Sequence, residues 1–294
     1  MKIDLHIHSN HSCDGQFSPT EIIEMAKEKN LDIVALSDHD SIDGVKEMLN
    51  AGAKAGIKVI PAIEISTQIN QDSVHMLGLN INPNSDTFIR HRENFENIER
   101  ASTAKLIKMF QKELEFDVDY DEMMERCNNA IYGLVPLVEE VISNPKYHKY
   151  DIIKPYLPGG ERSDLALTNF YIDHCLKGGK FFIALDIPDY KETIKQIHQD
   201  GGIAVLAHPF NSFYKNYKYL NAMKQAGLDG IEVFSNYHEI EKNQWYYKYA
   251  KENGFLVSGG SDYHGSFKPS IELGEFNCDF QDEAFKDIVE VLLK

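Results

Sequence analysis

The segment Met1-Lys-Ile-Asp-Leu-His-Ile-His8 ends in a His-x-His pair on an apolar run that reads as a buried strand. Side chains two apart on a strand share a face, so His6 and His8 point one way while Ile3, Leu5 and Ile7 pack on the other. Two buried imidazoles need polar partners, and a single cation gripped by both would satisfy them. A pair of hydrogen-bonded core histidines would look the same, so the motif takes its meaning from its company.

That company is four more histidines and three carboxylates, most of them following an apolar run. Ile33-Val-Ala-Leu-Ser-Asp-His-Asp40 places His39 just past one run, and Val59-Ile-Pro-Ala-Ile-Glu64 ends in a glutamate. Val74-His-Met-Leu-Gly-Leu79 carries His75 inside a short strand. Ile203-Ala-Val-Leu-Ala-His-Pro209 ends in His208, and Leu256-Val-Ser-Gly-Gly-Ser-Asp-Tyr-His264 ends in Asp262 and His264. Asp14 follows the first strand. Strand ends in an α/β barrel converge on one rim, where such folds keep their chemistry. Nine such ligands exceed what one four- or five-coordinate ion needs, so they imply two or three divalent ions. Oxygen- and imidazole-rich ligation suits Mn, Fe or Zn.

The elements that must position these groups alternate, then stop alternating. Strands at 3–8, 33–37, 57–63 and 74–79 are separated by helices at 19–29 and 42–56, the first opening with Ser18-Pro19-Thr20-Glu21. From Thr87 to Gln111 a long amphipathic helix follows, with shorter helical pieces near 120–127, 134–143 and 165–177. Alternation resumes near Phe181: helix 189–199, strand 203–207, helix 217–226, strand 230–234, helix 240–252, strand 255–258 and a terminal helix near 281–293. The alternating strand–helix part therefore takes residues 1–82 and 181–294, and residues 83–180 read as a helical insertion after the fourth strand, expected to cap the strand-end rim and set substrate choice.

Composition sets limits. A chain of 294 residues, 43% hydrophobic, can bury a full core. A formal charge of −16 argues against coating long nucleic acid, which takes clustered Lys and Arg. A small phosphorylated substrate remains compatible, because bound divalent ions invert the local field. No apolar stretch reaches membrane length and no signal segment opens the chain, so a cytoplasmic location without a membrane partner is expected. The oligomeric state leaves no trace in the sequence.

All five arginines, Arg90, Arg92, Arg100, Arg126 and Arg162, lie in the insertion. A guanidinium suits bidentate phosphate recognition, so one of them is expected to clamp the substrate, with Arg162 beside the Gly159-Gly160 turn the first choice. Single arginines on solvated helix faces are nonetheless the commoner arrangement.

The segments Asp4-Leu-His-Ile-His-Ser9, Ser37-Asp-His-Asp40, Glu64-Ile-Ser66, Val74-His-Met-Leu-Gly78, Gly201-Gly-Ile-Ala-Val-Leu-Ala-His-Pro209, Gly230-Ile-Glu-Val233 and Gly259-Gly-Ser-Asp-Tyr-His-Gly265 together resemble, in order, the polymerase and histidinol phosphatase (PHP) superfamily of metal-dependent phosphoesterases. The resemblance spans roughly residues 1–80 and 181–275. It implies a distorted (β/α)7 barrel with two or three metal ions. His6, His8, Glu64 and Asp262 match a first site, Glu64 bridging to a second ion held also by His75 and His208, and Asp14, His39 and His264 match a third.

The implied chemistry is hydrolysis of a small phosphate monoester, foremost a nucleotide, by a hydroxide bridging the ions, with Glu64 and Asp262 indispensable. Histidinol-phosphate phosphatase, an exonuclease on short oligonucleotides and a non-catalytic metal-binding module are the alternatives. Relatives that act on nucleotides usually carry Arg-Pro-His in the insertion; the equivalent region here, Gly160-Glu-Arg-Ser-Asp-Leu-Ala-Leu-Thr-Asn169, lacks it. Lys268 stands where relatives place a lysine near phosphate, and His238, past a strand end, is a candidate to protonate the leaving group. Asp38 and Asp40 could orient imidazoles or serve turns; Cys13 reads as a small rim residue, Phe213-Tyr214 as a pair able to stack a base, and His91 as ordinary.

Overall fold

The computed structural model describes residues 1–12, 14–117, 121–123, 134–164, 166–210, 218–278 and 280–294. Cys13, Arg126, Phe213 and Tyr214, and most of the helical piece expected at 120–127, lie outside the described residues.

Seven strands form one nearly closed sheet in sequence order: β1 Ile3–Ile7, β2 Ile33–Leu36, β3 Lys58–Ile69, β4 Asp72–Leu79, β5 Ile203–Leu206, β6 Gly230–Phe234 and β7 Leu256–Gly259. Pairing is parallel from β1 to β3 and from β5 to β7, while β4 runs antiparallel to both of its neighbours. The ring draws shut past the end of β7, where Ile7 bridges Tyr263. There the Asp262 amide donates to the His6 carbonyl at 2.9 Å and the His8 amide to that of Tyr263 at 3.0 Å. Runs such as Ile-Val-Ala-Leu in β2 and Ile-Ala-Val-Leu in β5 are buried throughout, as strands covered on both faces require.

The reversal of β4 departs from a regular strand–helix alternation. β3 and β4 form a hairpin whose register, Ile69 opposite Asp72, leaves Asn70 and Gln71 as a two-residue turn. Both have positive φ, 55° and 70°, the backbone of a type I′ turn. With no helix between β3 and β4, the N-terminal half of β4 shares a rim with the C-terminal ends of the parallel strands.

Helices cover the outside. In α1, Pro19–Glu28, Ser18 accepts from the Glu21 amide while the Glu21 carboxylate takes the Ser18 amide, a reciprocal cap at the helix start read from the sequence. Its Ile22, Ile23 and Ala26 pack with Val34, Leu36 and, from α2 (Val45–Ala55), Met48. Each buried isoleucine there contributes about 1.5–3 kcal/mol.

The described residues fall into two compact units, Met1–Arg92 with Ile187–Lys294, and Glu93–Asp186. The division cuts α3, Asp86–Leu114, after Arg92 rather than ahead of it at residue 83, because Phe88 packs in the barrel core and His91 donates to Asp40 at 2.6 Å. On the other side Gln68 binds the carbonyls of Ile187 and Pro188, tying them to β3. The second unit has its own apolar core, in which Phe110, Phe170 and Phe181 meet Tyr147 and Tyr156. Its helices include α4 Leu134–Ser143 and α5 Ala166–His174. In the first unit, α6 Tyr190–Gln199, α7 Lys218–Gln225 and α8 Ile240–Asn253 follow. The expected terminal helix is instead two short ones, α9 Gln281–Ala284 and α10 Lys286–Leu292, broken at buried Phe285. Among the described residues no helix is long and apolar enough to cross a membrane.

Candidate metal centre

Each strand end delivers its group to one place. β1 supplies His6, and His8 follows its end; His39 follows β2 and bridges Glu64 in β3. His75 lies in the first half of β4, opposite Ser66, so the reversal of that strand puts it on the shared rim. His208 and Asp262 follow β5 and β7 in left-handed backbone, φ 25° and 56°. Such conformations in non-glycine residues cost on the order of 1–3 kcal/mol and collect where surrounding structure has a use for them.

Glu64 is the hub. Its Oε2 lies 3.1 Å from His6 Nε2, 3.2 Å from His8 Nε2 and 3.2 Å from His39 Nδ1. Its Oε1 lies 3.1 Å from both His75 Nδ1 and His208 Nε2. Asp262 Oδ1 sits 3.3 Å from His6 Nε2 and 3.0 Å from His8 Nε2. Asp14 Oδ2 is 3.2 Å from His264 Nε2 and 3.7 Å from His39 Nε2. Among the described residues three overlapping donor sets result, each with its atoms within 4.8 Å of one another: His6, His8, Glu64 and Asp262; His39, Glu64 and His75; and His8, Asp14, His39 and His264. The first has the membership carried over from the resemblance. In the others His39 also reaches the Glu64–His75 pair and His8 joins Asp14, His39 and His264, while His208 approaches Glu64 on the His75 side.

The donor chemistry fits divalent cations. Among the described residues, buried Glu64 Oε2, Asp262 Oδ1, His39 Nδ1 and His264 Nε2 have no hydrogen-bond partner. A buried orphan polar atom costs about 1–3 kcal/mol, yet here several converge. The remaining ring nitrogens explain what faces inward: His6 Nδ1 is 3.0 Å from Glu232 Oε1, and His264 Nδ1 donates to the Asp262 carbonyl at 2.8 Å. With protons placed there, both Nε2 atoms present lone pairs to carboxylate oxygens, an arrangement a cation satisfies.

Electrostatics within the cluster is lopsided. Burial alone would raise Glu64, but His6, His39 and His75 hold it well below the usual carboxylate range. Asp262 is likewise kept low against burial, by Lys268 and His6 foremost, and Asp14 by His264 and His39. Burial opposes charge on His8, yet Asp262 and Glu64 push it up to about 9, whereas burial drives His39 down to about 3.

Lys268 borders this centre. Its ammonium donates to Asp262 Oδ2 at 2.7 Å, beside the Tyr237 hydroxyl, which donates to the same oxygen at 2.6 Å. Burial works against the ammonium, but Asp262, Tyr237 and Asp14 keep it above the ordinary lysine range, and 31% of the side chain stays exposed.

Other expectations are corrected. His238 is buried with its Nδ1 on the Val233 carbonyl at 2.9 Å and its Nε2 accepting the Phe210 amide at 3.3 Å, and burial lowers its pKa. Both nitrogens are thus engaged with backbone groups, where the sequence reading expected a donor to the leaving group. Arg162 offers its fork to Asp173, Nε at 3.0 Å and Nη2 at 2.9 Å, so the guanidinium expected on phosphate is engaged within its own unit. Asp38 binds the amide and hydroxyl of Ser9, and Asp40 binds Ser66 and His91; neither orients a candidate ligand imidazole, and His91 is a buried tie rather than an ordinary residue. Sequence reasoning assigned no role to Glu232, Tyr237 or Asp4. The signal for Glu232 and Asp4 was present, since each is a carboxylate inside a fully buried strand, alone among apolar residues in β6 and beside only His6 in β1.

Residues 4–293 match the PHP domain family. The chain is 29% identical over 269 residues to a 5'-3' exoribonuclease of Haemophilus influenzae, covering 90% of each. It is 25% identical over 275 residues to a 3',5'-nucleoside bisphosphate phosphatase of Chromobacterium violaceum, covering 92% of this chain and 90% of that one. A solved structure assigned as a metal-dependent phosphoesterase of Bifidobacterium adolescentis is similar with a TM-score of 0.74 at 25% identity, covering 98% of this chain and 95% of that one.

Proposed function

Since the chain belongs to the PHP domain family and is a metal-dependent phosphoesterase, we propose that its substrate is a small phosphate monoester, foremost a nucleotide, hydrolysed at the Glu64-centred cluster. The observation that carries this reading is the convergence of buried ligand atoms from Glu64, Asp262, His39 and His264, without a hydrogen-bond partner among the described residues, beside one charged lysine.

His6, His8, Glu64 and Asp262 would hold one divalent ion, Glu64 with His75 and His208 a second, and Asp14, His39 and His264 a third. Bound there, Mn, Fe or Zn would supply Lewis acidity, neutralising phosphoryl oxygens and acidifying water. The chain itself provides orientation and one further charge. Glu232 and the Asp262 carbonyl hold the rings of His6 and His264, and Lys268 sets a permanent cation where a phosphoryl oxygen can meet it. Arg162 stays with Asp173, which leaves Lys268 as the phosphate-contacting residue of this reading.

The similarity to an exoribonuclease favours a second reading, stepwise removal of nucleotides from the 5' end of short RNA. Protein stripped of metal and reloaded with Mn, assayed on nucleoside monophosphates and bisphosphates, histidinol phosphate and 5'-phosphorylated oligoribonucleotides, separates the possibilities. Phosphate release fastest from a nucleotide supports the proposal. Faster hydrolysis of histidinol phosphate selects that phosphatase instead, and shortening of oligonucleotides with inert mononucleotides selects the exonuclease.

A further inference from the structure

Behind the cluster, on the side of His6 away from Glu64, lies a second fully buried carboxylate. Glu232 sits in the middle of β6, and its two oxygens take two different partners: Oε1 faces His6 Nδ1 at 3.0 Å, and Oε2 accepts the backbone amide of His208 at 2.7 Å. Those two residues serve opposite oxygens of Glu64, His6 at Oε2 and His208 at Oε1. Their rings stack, centroids 5.7 Å apart and 20° from parallel, so one carboxylate in front and one behind bracket the pair.

We infer that Glu232 is a positioning residue that couples the two ion subsites sharing Glu64, by fixing the ring proton of His6 and holding the strained backbone of His208. The inference rests on the cluster being a metal centre. Both of its partners are donors, so the position demands two acceptors at once. His6 must carry its proton on Nδ1 to leave the Nε2 lone pair facing Glu64 and Asp262, and Glu232 Oε1 selects that form. His208 has φ 25°, and the 2.7 Å bond from its amide holds it there, with Nε2 directed at Glu64 Oε1. An amide of the same shape cannot do both. In Glu232→Gln the single carbonyl oxygen meets one donor and the NH2 group meets the other. If the NH2 faces His6, the ring shifts its proton to Nε2 and loses its lone pair for the ion; if it faces His208, two N–H groups oppose each other and the backbone must move.

The test is metal binding and tautomer state rather than turnover. Metal-stripped wild type, Glu232→Gln and Glu64→Gln are titrated with Mn by calorimetry, and bound ions are counted after desalting. Glu232→Gln is expected to bind at both subsites about 10- to 100-fold more weakly than wild type, the usual cost of losing a carboxylate behind a ligand histidine. Equal affinity in wild type and Glu232→Gln overturns the proposal while leaving the metal centre standing. A wild type that takes up no ions overturns the reading on which it rests. Because Glu232→Gln could fail to fold, the nitrogen-15 spectrum of the wild-type histidines is measured as well. A proton on His6 Nδ1 supports the assignment, and a proton on Nε2 in protein loaded with diamagnetic Zn overturns it.

Discussion

At the residue scale, one carboxylate carries most of the argument. Five imidazoles approach the two oxygens of Glu64 at 3.1 to 3.2 Å, so its replacement by glutamine removes the charge that two donor sets share. Glu64→Gln is expected to lower kcat by about 10²–10³ or more, as loss of an electrostatic stabiliser does, with the fold intact by circular dichroism. Near wild-type turnover in a folded variant would show the centre to be misassigned. Lys268 calls for a different readout. In Lys268→Ala, KM for the best substrate should rise about 10- to 150-fold, the 1.5–3 kcal/mol of a charge-assisted hydrogen bond, with metal content unchanged. Arg162→Ala should leave KM where it was, because Asp173 already occupies the guanidinium. The convergence of the nine candidate ligands was legible in sequence because residue type and strand-end position suffice to bring them to one rim. The surroundings of His238 were not legible, because its partners, the Val233 carbonyl and the Phe210 amide, are backbone groups that residue type cannot reveal.

At the element scale the sequence conveyed most boundaries and missed one reversal. Helix Leu134–Ser143 and strand Gly230–Phe234 lie where periodicity put them, since apolar spacing there is unambiguous. The β3–β4 hairpin was read as two separate shorter strands. Ser66, Thr67 and Gln68 extend β3 with polar residues, and Asn70-Gln71 is a weaker turn signal than Asn-Gly. That gap has a measurable consequence. Gln71 holds φ 70°, where a side chain is strained and glycine is not. Gln71→Gly should therefore stabilise the protein by about 0.5–1 kcal/mol, read as a higher urea midpoint at unchanged m-value. A lower midpoint would mean that the turn is not the type I′ geometry described here.

At the scale of the whole molecule, the ligands come from β1, β3, β4 and the segments following β1, β2, β5 and β7, so ions held among them would tie together most of a ring. Asp4 closes the same seam from inside, accepting from the Ser261 amide and hydroxyl at 2.9 and 2.6 Å and from the Gly274 amide at 2.8 Å. An ion that binds only the folded chain stabilises it by about 2.7 kcal/mol when free ion exceeds Kd a hundredfold. Thermal melting of metal-stripped protein should accordingly rise by several degrees on adding Mn and fall back with a chelator.

The pH dependence of that gain has a definite sign. In the ion-free cluster Asp262 and Glu64 push the His8 imidazole up to about 9 against burial, so near neutral pH it carries a proton that an ion must displace. Glu64, Asp262 and Asp14 are held well below the usual carboxylate range and take up no proton between pH 6 and 8. Ion binding should therefore release protons at pH 7.5 and weaken as pH falls further below 9, and the stabilisation by Mn should shrink from pH 8 to pH 6. Calorimetric titration in buffers of different ionisation enthalpy checks this directly: the apparent binding enthalpy should vary linearly with that of the buffer, and an enthalpy independent of buffer would mean that His8 does not hold the proton assigned to it.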